Sequence, residues 1–276
     1  MILDGVYWKD AIAAHADGVQ RSLVESRLRT YRALGFTYLR DGGDRWGVGQ
    51  LAASMAADYG IRYRTPIFPV FRAGHYGGFI GRGFSSWREY DALLAELRQK
   101  GAHFVKLMIS GLMDFSKAGV LTEDGLPAED ITRMVRAAKD AGFSVMVHAN
   151  GDSTVQAAVS AGVDSVEHGA YLSEETLLQL AQSETVWVPT LSTVGNLLHD
   201  GRFPDEALQP ILDSQLRAVR FAAEHGAALA PGSDAGAYRV MHGQGGLDEV
   251  GWLHQALGER TEAILRAGIA QIQRRF

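Results

Sequence analysis

A parallel α/β architecture closed into a (β/α)8 barrel, one domain over residues 1–276, is the expectation, and three observations carry it. Seven apolar segments of strand length run from Phe36 to Asp234. Helical segments separate them, and the strands are apolar throughout rather than alternating. Continuous apolar strands between helices indicate a parallel sheet covered on both faces. Eight such units in about 250 residues is the size of a barrel. The stub Ile2-Leu3-Asp4 would supply the eighth, a truncated first strand. An open doubly wound sheet is the alternative, but no glycine-rich turn here has the G-x-G-x-x-G spacing of a dinucleotide site.

The elements follow in order. Phe36-Thr37-Tyr38-Leu39-Arg40 is a strand ending in the turn Asp41-Gly42-Gly43-Asp44. Residues 48–59 form a helix stopped by Gly60. Residues 62–71 are rich in β-branched and aromatic side chains and predict one strand, with a glycine-rich loop at 73–79. Residues 87–100 are helical and Gly101 ends them; the strand of Lys106 follows. A helix over 127–141 has Pro at its start and Gly142 just past its end. The strand of His148, a short helix at 153–161 and the strand of His168 come next. Ser173 caps a further helix, and residues 185–189 are a strand. A long helix over 205–225 leads to the strand of Asp234, and helices at 247–257 and 261–275 close the chain.

Composition narrows the function. With 276 residues, 46% of them hydrophobic, the chain can bury a large core. A net charge of −5 leaves no basic footprint for nucleic acid. No apolar run reaches the ~18 residues of a membrane span. The start has no basic segment followed by an apolar one, so no signal peptide is expected. Cysteine is absent, which fits a cytoplasmic location and leaves only His, carboxylate or modified Lys to hold a metal. A small-molecule substrate is the expected partner, and a homo-oligomer is compatible with this composition.

Lys106, His148, His168 and Asp234 each follow an apolar strand and precede small residues. In parallel barrels the active site forms at those strand ends. Neutral imidazoles are common metal ligands. A carboxylate can bind a cation or accept a proton from water, and a lysine amine can react with CO2 to give an anionic carbamate. Singly, each has a plain structural reading: a hydrogen-bonded histidine, a turn aspartate, a lysine meeting solvent, or a Schiff-base lysine. Jointly, the order Lys, His, His, Asp over four strands favours a metal site.

Four segments resemble the amidohydrolase superfamily: Val105-Lys106-Leu107-Met108-Ile109-Ser110-Gly111, Val147-His148-Ala149-Asn150-Gly151, Val166-Glu167-His168-Gly169 and Pro231-Gly232-Ser233-Asp234-Ala235-Gly236. Arg40-Asp41-Gly42-Gly43 resembles its second-strand end. The similarity runs from about Ser22 to the C-terminus and points to the imidazolonepropionase-like and prolidase-like branch. It implies a carboxylated Lys106 bridging two divalent metals, usually zinc, with His148 and His168 on the second. Asp234 would bind the first and carry the proton during cleavage of a C–N bond. The family's first strand ends in His-x-His, and this chain contains no such pair. Its flanking β-sandwich is also not visible. The resemblance thus leaves two readings: a hydrolase, or a catalytically impaired pseudoenzyme binding a ligand or one metal. His75, Tyr76, Tyr171, Tyr238 and His242 follow strands and are candidate substrate contacts, and Arg72 or Arg239 could hold a substrate carboxylate.

Overall fold

The computed structural model describes residues 1–276. Its elements are α1 (Trp8–Ala13), α2 (Arg21–Ala33), β1 (Tyr38–Arg40), α3 (Val48–Met55), β2 (Arg62–Arg64), β3 (Val70–Arg72), β4 (Arg82–Phe84) and α4 (Trp87–Gln99). Then come β5 (Val105–Met108), α5 (Ala128–Asp140), β6 (Val145–Ala149), α6 (Asp152–Ser160), β7 (Ser165–His168), α7 (Glu174–Ala181) and β8 (Val186–Val188). Helices α8 (Ser192–Gly195), α9 (Asp205–Glu224), α10 (Gln244–Leu257) and α11 (Thr261–Arg275) complete the chain.

All strand pairs are parallel, as expected. They form two sheets, β1-β2 and β4-β3-β5-β6-β7-β8, rather than one closed ring of eight. The two meet where His103 donates to the Thr65 carbonyl at 3.0 Å. The sheet curls strongly: Arg40 on β1 reaches Ser165 and Glu167 on β7. The segment expected as one strand over 62–71 is broken. Pro66 and Pro69 remove ladder donors and Ile67 takes a φ of 67°, so β2 pairs with β1 while β3 pairs with β4 and β5. The last expected strand, 229–234, makes only a bridge between Leu229 and Trp187.

Strand alternation sorts the side chains. Val105, Leu107, Val145, Val147 and Val166 face outward into a core with Ile131, Met134 and Leu177 of the helices. Each such buried side chain contributes about 1.5–3 kcal/mol. Phe104, Met146, Val188 and Ala230 pack with Ile272 and Phe276 of the chain's end. At the start of α3, Asp44 accepts from the amides of Trp46, Val48 and Gly49. Those bonds satisfy helix donors that would otherwise be orphaned.

Candidate active site

The register places the chemistry. Met108 lies opposite His148, and Ala149 opposite His168. Lys106, two residues below Met108, points to the same face. His148 and His168 stand with ring centroids 4.6 Å apart. Asp234 projects into the same cavity and stays open to it. All four residues line one space of about 1170 Å³.

The hydrogen bonds of both rings select their tautomers. The Nε2 of His148 donates to the Gly111 carbonyl at 3.1 Å, which leaves Nδ1 as its free lone pair. Thr190 Oγ1 already donates to the Pro189 carbonyl, so it accepts from Nδ1–H of His168 at 2.7 Å. That leaves Nε2 of His168 free. A ring nitrogen tied back in this way is the usual support of a metal-binding histidine. His168 is held in a left-handed backbone, φ 74°, and Trp187 Nε1 bonds its carbonyl at 2.9 Å. Gly169 also has positive φ, and a Cβ there would meet Trp187 Nε1 at 2.5 Å.

Electrostatics favour neutral forms. Burial lowers the Lys106 ammonium to about 8, while Glu167 and Asp234 act against that shift. Its amine has no ion-pair partner, because Glu167 is taken by Arg40 at 2.8 Å. Burial, helped by Lys106, pushes His148 down to about 3. Burial also depresses His168, with His148 adding to the effect. Crowding by the surrounding protein raises Asp234 to about 6, against the pull of Lys106 and with the repulsion of Glu167.

The other candidates divide. Tyr76 lines the cavity, its ring 4.9 Å from His148 and 5.5 Å from Phe79, which in turn meets Trp8 at 5.8 Å. Tyr238 lines the rim and donates to Asp200 at 3.0 Å. His75 is turned toward Glu123, 3.6 Å away, outside the cavity. Tyr171 packs against the cluster of Met113, Val194 and Leu208 instead. His242 is half-buried between the Leu3 carbonyl and the Tyr31 hydroxyl, where it pins the start of the chain. Arg239 is bound to Asp200, and Arg72 lies outside the cavity with its guanidinium over Phe84 and Trp87, so neither is placed for a substrate carboxylate. Sequence reasoning passed over Asn150, whose amide donates to Gly111 and accepts from Ala170, tying three strand ends together. It also passed over Thr190.

No third His, Asp or Glu joins the two histidines closely enough to make a ready cation cage. Val6, Tyr7 and Trp8 line the mouth near the chain's start, without an imidazole among them.

No family model matches the chain. It is 29% identical over 205 residues to an ochratoxinase of Aspergillus niger, covering 66% of this chain and 41% of that protein. The chain thus spans about two fifths of the curated relative's length. A Xaa-Pro dipeptidase with methionine bound in its active site superposes with a TM-score of 0.75 at 24% identity, covering 92% of this chain and 68% of the other. An amidohydrolase superposes at 0.69 with 23% identity, covering 92% and 68%. The chain has the fold of prolidase- and amidohydrolase-type proteins, the family that its strand-end motifs resemble.

Proposed function

We propose that this chain is a metal-dependent hydrolase of C–N bonds in small amides, cyclic amides or dipeptide-like molecules. The observation that carries the reading is the His148–His168 pair, 4.6 Å apart, each ring with one nitrogen tied back by the protein. Beside it lies a buried Lys106 without a counter-ion. The names of the relatives, an ochratoxinase and a Xaa-Pro dipeptidase, favour amide substrates.

The donor set fits one divalent cation rather than two. His148 and His168 offer two nitrogens, and Lys106 as a carbamate would offer oxygen. Only a neutral amine adds to CO2, and the lowered basicity of Lys106 enlarges that fraction. Imidazole and oxygen donors suit zinc. A cation held there would polarise the substrate carbonyl and acidify water. Asp234, near 6, is tuned to take the proton of an attacking water and return it to the leaving nitrogen. Tyr76, Phe79 and Trp8 form an aromatic wall for the substrate's apolar part. A second reading, a pseudoenzyme that binds a ligand or one metal without turnover, is favoured by the lack of a third His, Asp or Glu beside the two histidines.

Protein purified without chelator should hold about one zinc per chain, the count for a single three-donor site. Lys106→Ala should abolish it, and labelled bicarbonate should give a carbamate carbon signal that the variant lacks. Two tightly held zinc ions would overturn the one-cation reading. On a panel of N-acyl amino acids and dipeptides, Asp234→Asn should cut turnover by about 10²–10⁴. Zinc bound with no turnover on any amide would leave the pseudoenzyme.

A further inference from the structure

One short turn, between β8 and α8, reaches two of the four site residues. Thr190 Oγ1 accepts from Nδ1–H of His168 at 2.7 Å. Ser192 Oγ donates at 3.1 Å to the carbonyl of Ser233, the residue before Asp234. Thr193 Oγ1 donates to the Thr190 carbonyl at 2.8 Å and closes the turn. His168, Thr190 and Asp234 all hold left-handed backbones, with φ of 74°, 52° and 55°. Residues other than glycine keep such conformations where the surroundings fix them.

Helix α10 supplies that hold from behind. Asp248, Glu249 and Trp252 lie on one face of it by helical spacing. Asp248 accepts from Asn196 Nδ2 at 2.8 Å, and Trp252 Nε1 donates to Asn196 Oδ1 at 3.1 Å. The Trp252 indole covers Gly195, where a Cβ would meet it at 2.2 Å. Between these contacts Glu249 is fully buried, and its Oε2 accepts from the Ser192 amide at 2.8 Å. Its Oε1 has no partner. A carboxyl buried without a cation is costly. The bond it does make is to the turn that reaches the site, and Glu249 itself does not line the cavity.

We propose that Glu249 is a positioning residue of the active site. Through the Ser192 amide it fixes the turn at 190–192, which sets the ring of His168 by way of Thr190 and the backbone of Asp234 by way of Ser233. Packing alone needs no carboxyl at this place; Leu253, one turn further along α10, fills the core without one.

The proposal rests on the reading of His168 as a metal ligand, but its first test needs no metal. Nitrogen NMR of the full chain with labelled histidine, at about pH 8 where imidazoles are neutral, should show His168 as the Nδ1–H tautomer. The signal is assigned by its absence from His168→Gln. Glu249→Met should return it to a mixture of tautomers and weaken zinc about tenfold or more in a competition titration. Glu249→Gln keeps an acceptor for the Ser192 amide and should retain the parent's tautomer and affinity. Leu253→Ala should lose stability and keep the tautomer. If Glu249→Met does not fold, Asn196→Ala takes its place: at a half-buried position it frees α8 from Asp248 and Trp252 and should mix the tautomers in the same direction. A parent without the Nδ1–H form, an unchanged tautomer in the folded variant, or an equal change in Leu253→Ala overturns the proposal. A fixed tautomer that Glu249→Met releases, in a parent with no zinc affinity, upholds it and fails the metal reading alone.

Discussion

His168 works through what holds it. The Thr190 hydroxyl fixes the proton on Nδ1 and so frees Nε2. Thr190→Val keeps the shape and removes that acceptor. Zinc affinity should fall about 10–100-fold, the usual effect of losing such a partner, with the circular dichroism spectrum unchanged. An unchanged affinity in a competition titration would show that Thr190 merely packs. Residues of this kind were hard to see in the sequence. Lys106, His148, His168 and Asp234 were legible because each ends an apolar run, and strand period then fixes where it points. His75, Tyr171 and His242 sit in loops, where no period gives direction. Arg40 and Glu167 carried a signal of their own: opposite charges within strands destined for burial must find each other.

Helices were read closely and strands less so, and the reason is physical. The helix expected over 87–100 is realised as α4, and its start is marked by a reciprocal cap in which Ser86 accepts from the Glu89 amide while Glu89 accepts from the Ser86 amide. That signal is local, and sequence holds all of it. Ser86→Ala should cost about 1 kcal/mol in urea unfolding. A cost near zero would mean that packing of Tyr90, Leu94 and Leu97 alone sets the helix start. The strand at 62–71 was different. Its apolar content predicted a strand, but where a strand changes partners depends on its neighbours, and Pro66 and Pro69 mark the break only once those neighbours are known. Residues 229–234 likewise read as a strand, and their ladder shrinks to one bridge because only β8 lies alongside.

The whole molecule carries two desolvated groups, the half-buried His242 and the buried Glu249, whose pH effects oppose each other. Burial lowers His242 from 6.5 to about 3. It stays neutral in the fold, so its contribution is intact above pH 6.5 and is lost as pH falls toward 3, by up to about 5 kcal/mol at ~1.4 per pH unit. Glu249 runs the other way. Burial raises it from 4.5 to about 7, against the amide of Ser192 that donates to it at 2.8 Å. It stays protonated in the fold, so its contribution is intact below pH 4.5 and is lost as pH rises through 7, by about 3 kcal/mol. The windows overlap between 4.5 and 6.5 with equal and opposite slopes, and there the pair contributes almost no net pH dependence. Two variants separate them when urea unfolding is followed from about pH 4 to 8. Relative to the parent, Glu249→Gln should gain stability steadily as pH rises from 4.5 to 7. His242→Gln should gain it as pH falls below 6.5, over whatever constant loss comes from its bonds to Leu3 and Tyr31. Taking each difference against the parent cancels the other histidines and Asp234. Two flat difference curves would mean that both groups titrate at their ordinary values, and that water reaches the sites beneath α10 and the chain's start.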